Sequence, residues 1–337
     1  MKIYFIALFV MVLPFGANGE ALIMSDQIFY QQDCFSGSFE SYSSWRQGME
    51  NKHNQRLKTE VEVAEAMKRF DSLFEEKKFE DYKKQLSCVT FSYLVDGNTV
   101  KGYAISPKSK TLSKLPVLVY NRGGNGDFGG VVFGKMMLDL FPISSQGFIV
   151  LGSQYRGTFS SDTKVQDEFG GSDVKDVTEL LTYIPKVRGA DPNKIGMFGS
   201  SRGGMQTFLV LKESEKIKAV AVIASPTDLF KGLVNRPEME NVFNSRIPNY
   251  EKNKSEELRR RSVIKWVDEL PKNVPILLLH GDNDERVSVD HSVELAKELD
   301  KHKIPHKLVL YTGDDHGLFK NKSAAQEEIV NWFLQNM

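Results

Sequence analysis

From about residue 88 onward, short apolar runs alternate with longer stretches in which apolar positions return every three or four residues. The runs Leu115 to Tyr120, Phe148 to Gly152, Ile195 to Phe198, Ile217 to Ala224, Val274 to His280 and Lys307 to Tyr311 are brief and mostly rich in aliphatic residues. Each predicts a strand. Ahead of them, Cys88 to Val95 and Thr99 to Ile105 flank Asp96-Gly97, a dipeptide that tolerates positive φ, so this segment predicts a β-hairpin. The gaps carry helical stripes: Val174, Val177, Leu181 and Ile184 behind a candidate cap at Ser172, then Val293, Leu295 and Leu299, and last Ala324 to Leu334. Strands alternating with helices imply an α/β protein with a mostly parallel sheet flanked by helices on both faces.

Two stretches fall outside that alternation. Between Arg56 and Phe79, Val63, Met67, Phe70, Leu73 and Phe74 recur among Glu and Lys and predict one or two amphipathic surface helices capping the main domain. Ser225 to Asn273 carries no strong strand signal. Long excursions of this kind commonly hold lid or pocket elements, and Phe230, Phe243 and Tyr250 are its candidate apolar lining.

The first residues read differently. Lys2, an apolar run from Ile3 to Phe15, and the small residues Ala17 and Gly19 have the layout of a secretory signal peptide over residues 1–19. The run is shorter than the roughly 18 to 20 apolar residues a spanning helix needs, so an exported chain, periplasmic or secreted, with no stable membrane span is expected. That leaves a helical N-terminal extension over 20–87 and a main domain over 88–337. Export would let Cys34 and Cys88, the only cysteines, form a disulfide, though two separate thiols fit as well. Neither has metal-ligand or CxxC spacing, and no cofactor or metal is expected. Equal numbers of basic and acidic side chains, 44 of each, argue against a charge-driven nucleic-acid or anionic-membrane partner.

The chemistry concentrates at Gly199-Ser200-Ser201-Arg202-Gly203, between the strand Ile195 to Phe198 and a helical run from Met205 to Lys212. A strand that turns this sharply into a helix needs glycine on both sides and leaves Ser201 exposed at the helix N-terminus, the nucleophile elbow of the α/β-hydrolase fold. A general base must follow. Of the six histidines, His316 is the strongest candidate, in the Gly-flanked polar loop after the last strand. His53, His291, His302 and His306 lie in charged, surface-like contexts, and His280 is expected to pack at the end of its strand. The orienting acid comes from the loop His280-Gly281-Asp282-Asn283-Asp284, which leaves a strand at the same edge. Asp314 and Asp315 are too close to His316 in sequence for that role and read as loop-capping or solvated residues. Oxyanion donors are expected from the N–H of Arg202 and from the turn Asn121-Arg122-Gly123-Gly124-Asn125-Gly126. That turn lacks the Gly-Lys-Ser/Thr ending of a phosphate loop and the spacing of a dinucleotide site.

From Val89 to the C-terminus the sequence resembles the catalytic domain of the prolyl oligopeptidase family, which includes dipeptidyl and acylaminoacyl peptidases. The resemblance rests on Tyr120-Asn121-Arg122-Gly123-Gly124, Tyr155-Arg156-Gly157, Gly170-Gly171-Ser172-Asp173-Val174, Ala190-Asp191-Pro192, Gly199-Ser200-Ser201-Arg202-Gly203-Gly204, His280-Gly281 with Asp284 and Val287, and His316-Gly317. It implies Ser201, Asp284 and His316 as a catalytic triad, selecting Asp284 over Asp282, and places Arg122, Gly123 and Gly124 with Arg202 near the oxyanion. It also implies hydrolysis of short peptides through an acyl-enzyme. The chain departs from the family at two points: the large β-propeller of full-length members cannot fit before Val89, and Arg122 and Asn125 stand where His and Pro are often found. A carboxylesterase using the same triad, with a small ester as substrate, is the alternative. A non-catalytic binding protein of the same fold is the alternative of another class, and oligomeric state is not legible.

Overall fold

The computed structural model describes residues 21–108 and 114–337. The expected signal segment, 1–19, lies outside them. The described strands are β1 (Ile28–Asp33), β2 (Leu86–Val95), β3 (Asn98–Pro107), β4 (Leu115–Asn121), β5 (Ile149–Ser153), β6 (Ala190–Ser200), β7 (Ile217–Ile223), β8 (Ile276–Gly281) and β9 (His306–Tyr311). They form one sheet in the order β1-β2-β3-β5-β4-β6-β7-β8-β9. The pairs from β5 through β9 are parallel, and β1, β2 and β3 extend the sheet antiparallel. The described helices are α1 (Tyr42–Arg56), α2 (Glu60–Leu73), α3 (Glu76–Gln85), α4 (Phe133–Lys135), α5 (Phe141–Ser144), α6 (Val174–Tyr183), α7 (Arg202–Glu213), α8 (Leu229–Asn235), α9 (Met239–Arg246), α10 (Tyr250–Arg260), α11 (Asp290–Lys301) and α12 (Lys322–Asn336).

The expected hairpin forms as the dipeptide dictates. Val95 pairs with Asn98 across Asp96 and Gly97, whose φ values of 50° and 78° are those of a two-residue turn matched to the strand twist. Alternation along the central strands sends side chains to opposite faces. Val117 and Val119 of β4 join the cluster packed by α6, α7 and α11, through Val177, Phe208 and Leu295. Leu118 and Tyr120 join the opposite cluster, packed by α12 and the N-terminal helices through Phe333, Trp45 and Phe70. Both faces are covered, which is why β4, β5 and β8 read as continuous apolar runs.

The N-terminal extension is richer than its sequence pattern. Three helices occupy 42–85, where one or two were expected between Arg56 and Phe79. α1 escaped notice because only Trp45 of its fifteen residues is buried, leaving no stripe. α2 starts at a reciprocal cap in which Thr59 Oγ1 accepts from Glu62 N–H and Glu62 accepts from Thr59 N–H. The extension also supplies the edge strand β1. Cys34, just after β1, is disulfide-bonded to Cys88 on β2, so the bonded alternative is the one realised.

The cross-link spans 54 residues of sequence, and closing so long a loop removes unfolded-state entropy. Replacing both cysteines with serine is expected to lower the unfolding free energy by about 2–4 kcal/mol in a urea titration; an unchanged midpoint would show that the bond contributes nothing.

Candidate active site

Parallel strands deliver loops to one edge of the sheet, and every expected site segment leaves a strand there: Gly123 after β4, Ser201 after β6, Asp284 after β8 and His316 after β9. Ser201 lies at φ 57°, ψ −128°, a conformation that costs a non-glycine residue about 1–3 kcal/mol. Its surroundings enforce it. Ser201 N–H donates to Ile223 O at 2.7 Å and Ser201 O accepts from Gly204 N–H at 2.8 Å. A Cβ on Gly203 would sit 1.9 Å from Asn121 O, and one on Gly199 2.1 Å from Gly203 O. The turn thus admits no side chain at either glycine. α7 begins at Arg202, so its free N–H groups and dipole face the serine.

His316 Nδ1 lies 2.7 Å from Asp284 Oδ2. The Asp284 side chain is fully buried and that of His316 is 14% exposed. A carboxylate only accepts, so Nδ1 carries a proton, and in the neutral ring Nε2 then presents a lone pair. Arg286 N–H and Val287 N–H donate to Asp284 Oδ1 at 2.8 and 3.0 Å, and His280 Nε2 lies 3.1 Å from Oδ2. Burial alone would raise the Asp284 pKa, but the hydrogen bonds from His280, His316 and Val287 outweigh it and hold the carboxyl well below its usual range. Asp282 takes another part: its Oδ1 accepts from Gly313 N–H at 2.6 Å and ties the acid loop to the histidine loop. Asp314 is buried and accepts from the backbone N–H groups of Asp315, Lys320 and Asn321, capping the turn that carries His316.

Ser201 and His316 line one cavity of about 480 Å³, together with Gly123, Gly124, Arg202, Phe128, Phe243, Arg236 and Arg286. Of the aromatic residues expected to line it, Phe243 does. Tyr250 is buried behind Phe243, ring to ring at 5.9 Å, and Phe230 packs on the core. His291 requires correction. Expected on a charged surface, it is 1% exposed and lines the cavity, and its Nδ1 accepts from Thr227 N–H and Asp228 N–H at 3.2 and 3.3 Å. The missed signal was the spacing 291, 295, 299, which puts His291 on the buried stripe of α11 with Leu295 and Leu299.

Residues 135–337 match the model of the prolyl oligopeptidase family. The chain belongs to that family. It is 26% identical over 228 residues to the Bacillus subtilis peptidase YtmA, covering 67% of this chain and 85% of that one. To acylamino-acid-releasing enzyme 1 of Oryza sativa it is 25% identical, over 72% of this chain and 33% of that enzyme. The fold of Pyrococcus horikoshii acylaminoacyl peptidase superposes with a TM-score of 0.62 at 20% identity, covering 77% of this chain and 43% of that one. The chain thus spans about a third of the plant relative and less than half of the archaeal structure.

The departures from the family pattern around the paired glycines are structurally integrated. Gly123 backs directly onto the elbow, since a Cβ there would lie 2.9 Å from Ser200 O and 3.2 Å from Ser201 Cβ. The Arg122 side chain is fully buried on the far side of the loop and donates to the carbonyls of Gly123, Gly126, Phe128 and Gln154. Arg202 donates to Gly124 O at 2.8 Å and pairs with Asp167 and Asp173 at 2.8 and 2.7 Å, all three side chains buried. Both guanidinium groups contact the Tyr155 ring, at 4.8 and 5.0 Å. Arg122, Tyr155, Asp173 and Arg202 each fall in a block that carries the family resemblance, but nothing in the sequence announces their pairing, because they meet only across the fold.

Two outcomes follow from these buried charges. Replacing Arg202 with Met leaves Asp173 without its ion pair and Asp167 with only Arg246, at 3.7 Å, and is expected to cost about 3–5 kcal/mol in a thermal or denaturant melt. Burial, helped by the Lys231 charge, lowers the His291 pKa to about 4, against an ordinary value near 6.5. The unfolded chain then takes up a proton below about 6.5 that the folded chain refuses until about 4. Stability from the neutral ring is complete above the upper value and is lost as pH falls toward the lower one. His291→Gln should therefore show a shallower loss of stability over that interval than the unsubstituted protein; parallel curves would refute it.

Proposed function

We propose that this chain is an exported serine peptidase in which Ser201, His316 and Asp284 act as a triad on short peptides. The observation that carries the proposal is the 2.7 Å contact from Asp284 Oδ2 to His316 Nδ1, with Ser201 on the wall of the cavity that His316 also lines. Ser201 Oγ attacks the scissile carbonyl while His316 Nε2 takes its proton, and Asp284 stabilises the resulting imidazolium. The N–H of Arg202, with those of the Gly123-Gly124 turn, receives the oxyanion; one such donor is worth about 2.7–4 kcal/mol in the barrier. His316 then protonates the leaving amine, and water attacks the acyl-enzyme with His316 as base. Arg122, behind the loop, holds it in shape.

The cavity wall bears on the acyl side of the substrate. Arg236 and Arg286 line it, and among the described residues no carboxylate does. A free α-ammonium group would find no counter-charge there, whereas a neutral acyl group needs none and an acidic one meets Arg286. Peptides with a blocked amino terminus therefore fit best, in keeping with the acylamino-acid-releasing names of several relatives. Export is supported by the Lys2-to-Gly19 pattern and by the Cys34–Cys88 disulfide, which persists in oxidising compartments. No helix among the described residues is long and apolar enough to cross a membrane.

The test compares three chromogenic substrates: an N-acyl aminoacyl anilide, the same anilide with a free amine, and a simple acyl ester, with Ser201→Ala as blank. The blocked anilide should be turned over best, and Ser201→Ala should lower kcat by about 10⁶. Turnover of the ester alone would make the protein a carboxylesterase, and activity surviving in the Ser201 variant would remove that residue from the mechanism.

A further inference from the structure

The geometry points to His280 as a positioning residue that holds the Asp284 carboxylate on His316, an inference that rests on the triad assignment just given. His280 ends β8, is fully buried, and stands four residues before Asp284. Its Nε2 faces two oxygens that only accept: Asp284 Oδ2 at 3.1 Å and Val287 O at 2.9 Å. That nitrogen therefore carries a proton shared between them. The other nitrogen, Nδ1, lies 2.7 Å from Ser292 Oγ, in the first turn of α11. In the neutral ring Nδ1 accepts from the Ser292 hydroxyl, which fixes the tautomer and sets the ring plane.

One imidazole thus ties together a strand end, the acid loop and a helix start. The consequence falls on Asp284. Its Oδ1 is held by two backbone N–H groups, and its Oδ2 would otherwise be fixed only by His316, a residue that must move charge during turnover. With His280 as a second donor, Oδ2 stays aimed at His316 Nδ1 when the proton reaches the ring. A buried group with all its acceptors engaged has one low-energy orientation, which is what a reactive carboxylate needs from its support. His280 itself is absent from the cavity wall that Ser201 and His316 line, so its effect belongs in the chemical step and not in substrate affinity.

The test compares His280→Leu, which fills the space without a donor, with His280→Gln, whose amide nitrogen can reach Asp284 from a similar position. With kcat normalised to active sites titrated by a fluorophosphonate, the leucine variant should lose about 10- to 100-fold, the range for a lost hydrogen bond to a charged group. KM should stay within about twofold, as expected for an interaction that acts in the transition state, and the glutamine variant should recover most of the loss. Equal losses in both variants, or a loss confined to KM, would overturn the proposal. If the leucine variant does not fold, Ser292→Ala decides: freeing the ring's other nitrogen should lower kcat about 3- to 10-fold at constant KM, and an unchanged kcat would sink the idea. A second readout needs no turnover. The downfield proton resonance of the Asp284–His316 hydrogen bond in the resting protein should shift in His280→Leu and persist in His280→Gln. An enzyme inert toward every substrate would then defeat the peptidase assignment while still testing His280, and an unmoved resonance would defeat His280 alone.

Discussion

The conformation of Ser201 is the constraint around which the rest of the site is arranged. A strand in the middle of the sheet must reverse into a helix within one residue, and that residue is held at positive φ. Such a backbone persists only where neighbours over-determine it. Here they do: β7 accepts the serine N–H through Ile223 O, the β4 loop presses against Gly203 and Ser200, and α7 starts immediately after. The two glycines are required because the approaching atoms are backbone and cannot yield. The same closeness brings Gly123 against the serine, so the geometry that strains Ser201 also brings the glycine-rich 123–126 turn to it.

Beneath that loop lies a layer of charge in place of apolar packing. Arg122 and Arg202 flank Tyr155 and bind the carbonyls of the 123–128 turn, while Asp167 and Asp173 neutralise Arg202. A glycine-rich loop has little side-chain mass of its own to anchor it. Guanidinium groups suit this task, since each offers five donors in a rigid plane and can hold several carbonyls at once. Asp173 also accepts from the N–H groups of Glu168, Gly170 and Gly171, which links the 123–128 loop, through Arg202, to the turn preceding α6. The acid loop follows the same logic on the other side of the cavity, with Asp284, His280 and Ser292 connecting β8 to α11.

Much of this was legible in the amino-acid sequence. The strands from β2 to β9 were marked by short apolar runs, and in β4, β5 and β8 the run is nearly continuous because strands covered on both faces must be apolar at nearly every position. The β2–β3 turn was marked by Asp96-Gly97, and the serine turn by glycines that no other residue can replace. Less visible were β1, a short edge strand half in solvent, and α1, whose single buried residue makes no stripe. His291 was less visible, because its acidic neighbours suggest surface, although its four-residue spacing with Leu295 and Leu299 points inward.

Local chemistry and chain order therefore pointed to the fold class and to Ser201 and His316 as candidates, because each is announced by residues adjacent to it, whereas Asp284 over Asp282 and the family rested on several blocks resembling the family in the same order. The tertiary structure decided what adjacency cannot encode. It chose the disulfide over free thiols, brought Arg202 to Asp167 and Asp173, turned the Arg122 side chain behind its loop, and set His280 and His316 on one carboxylate oxygen. Each of these depends on residues distant along the chain sharing a buried volume, where an unpaired charge or hydrogen-bonding group is costly enough to dictate its partner.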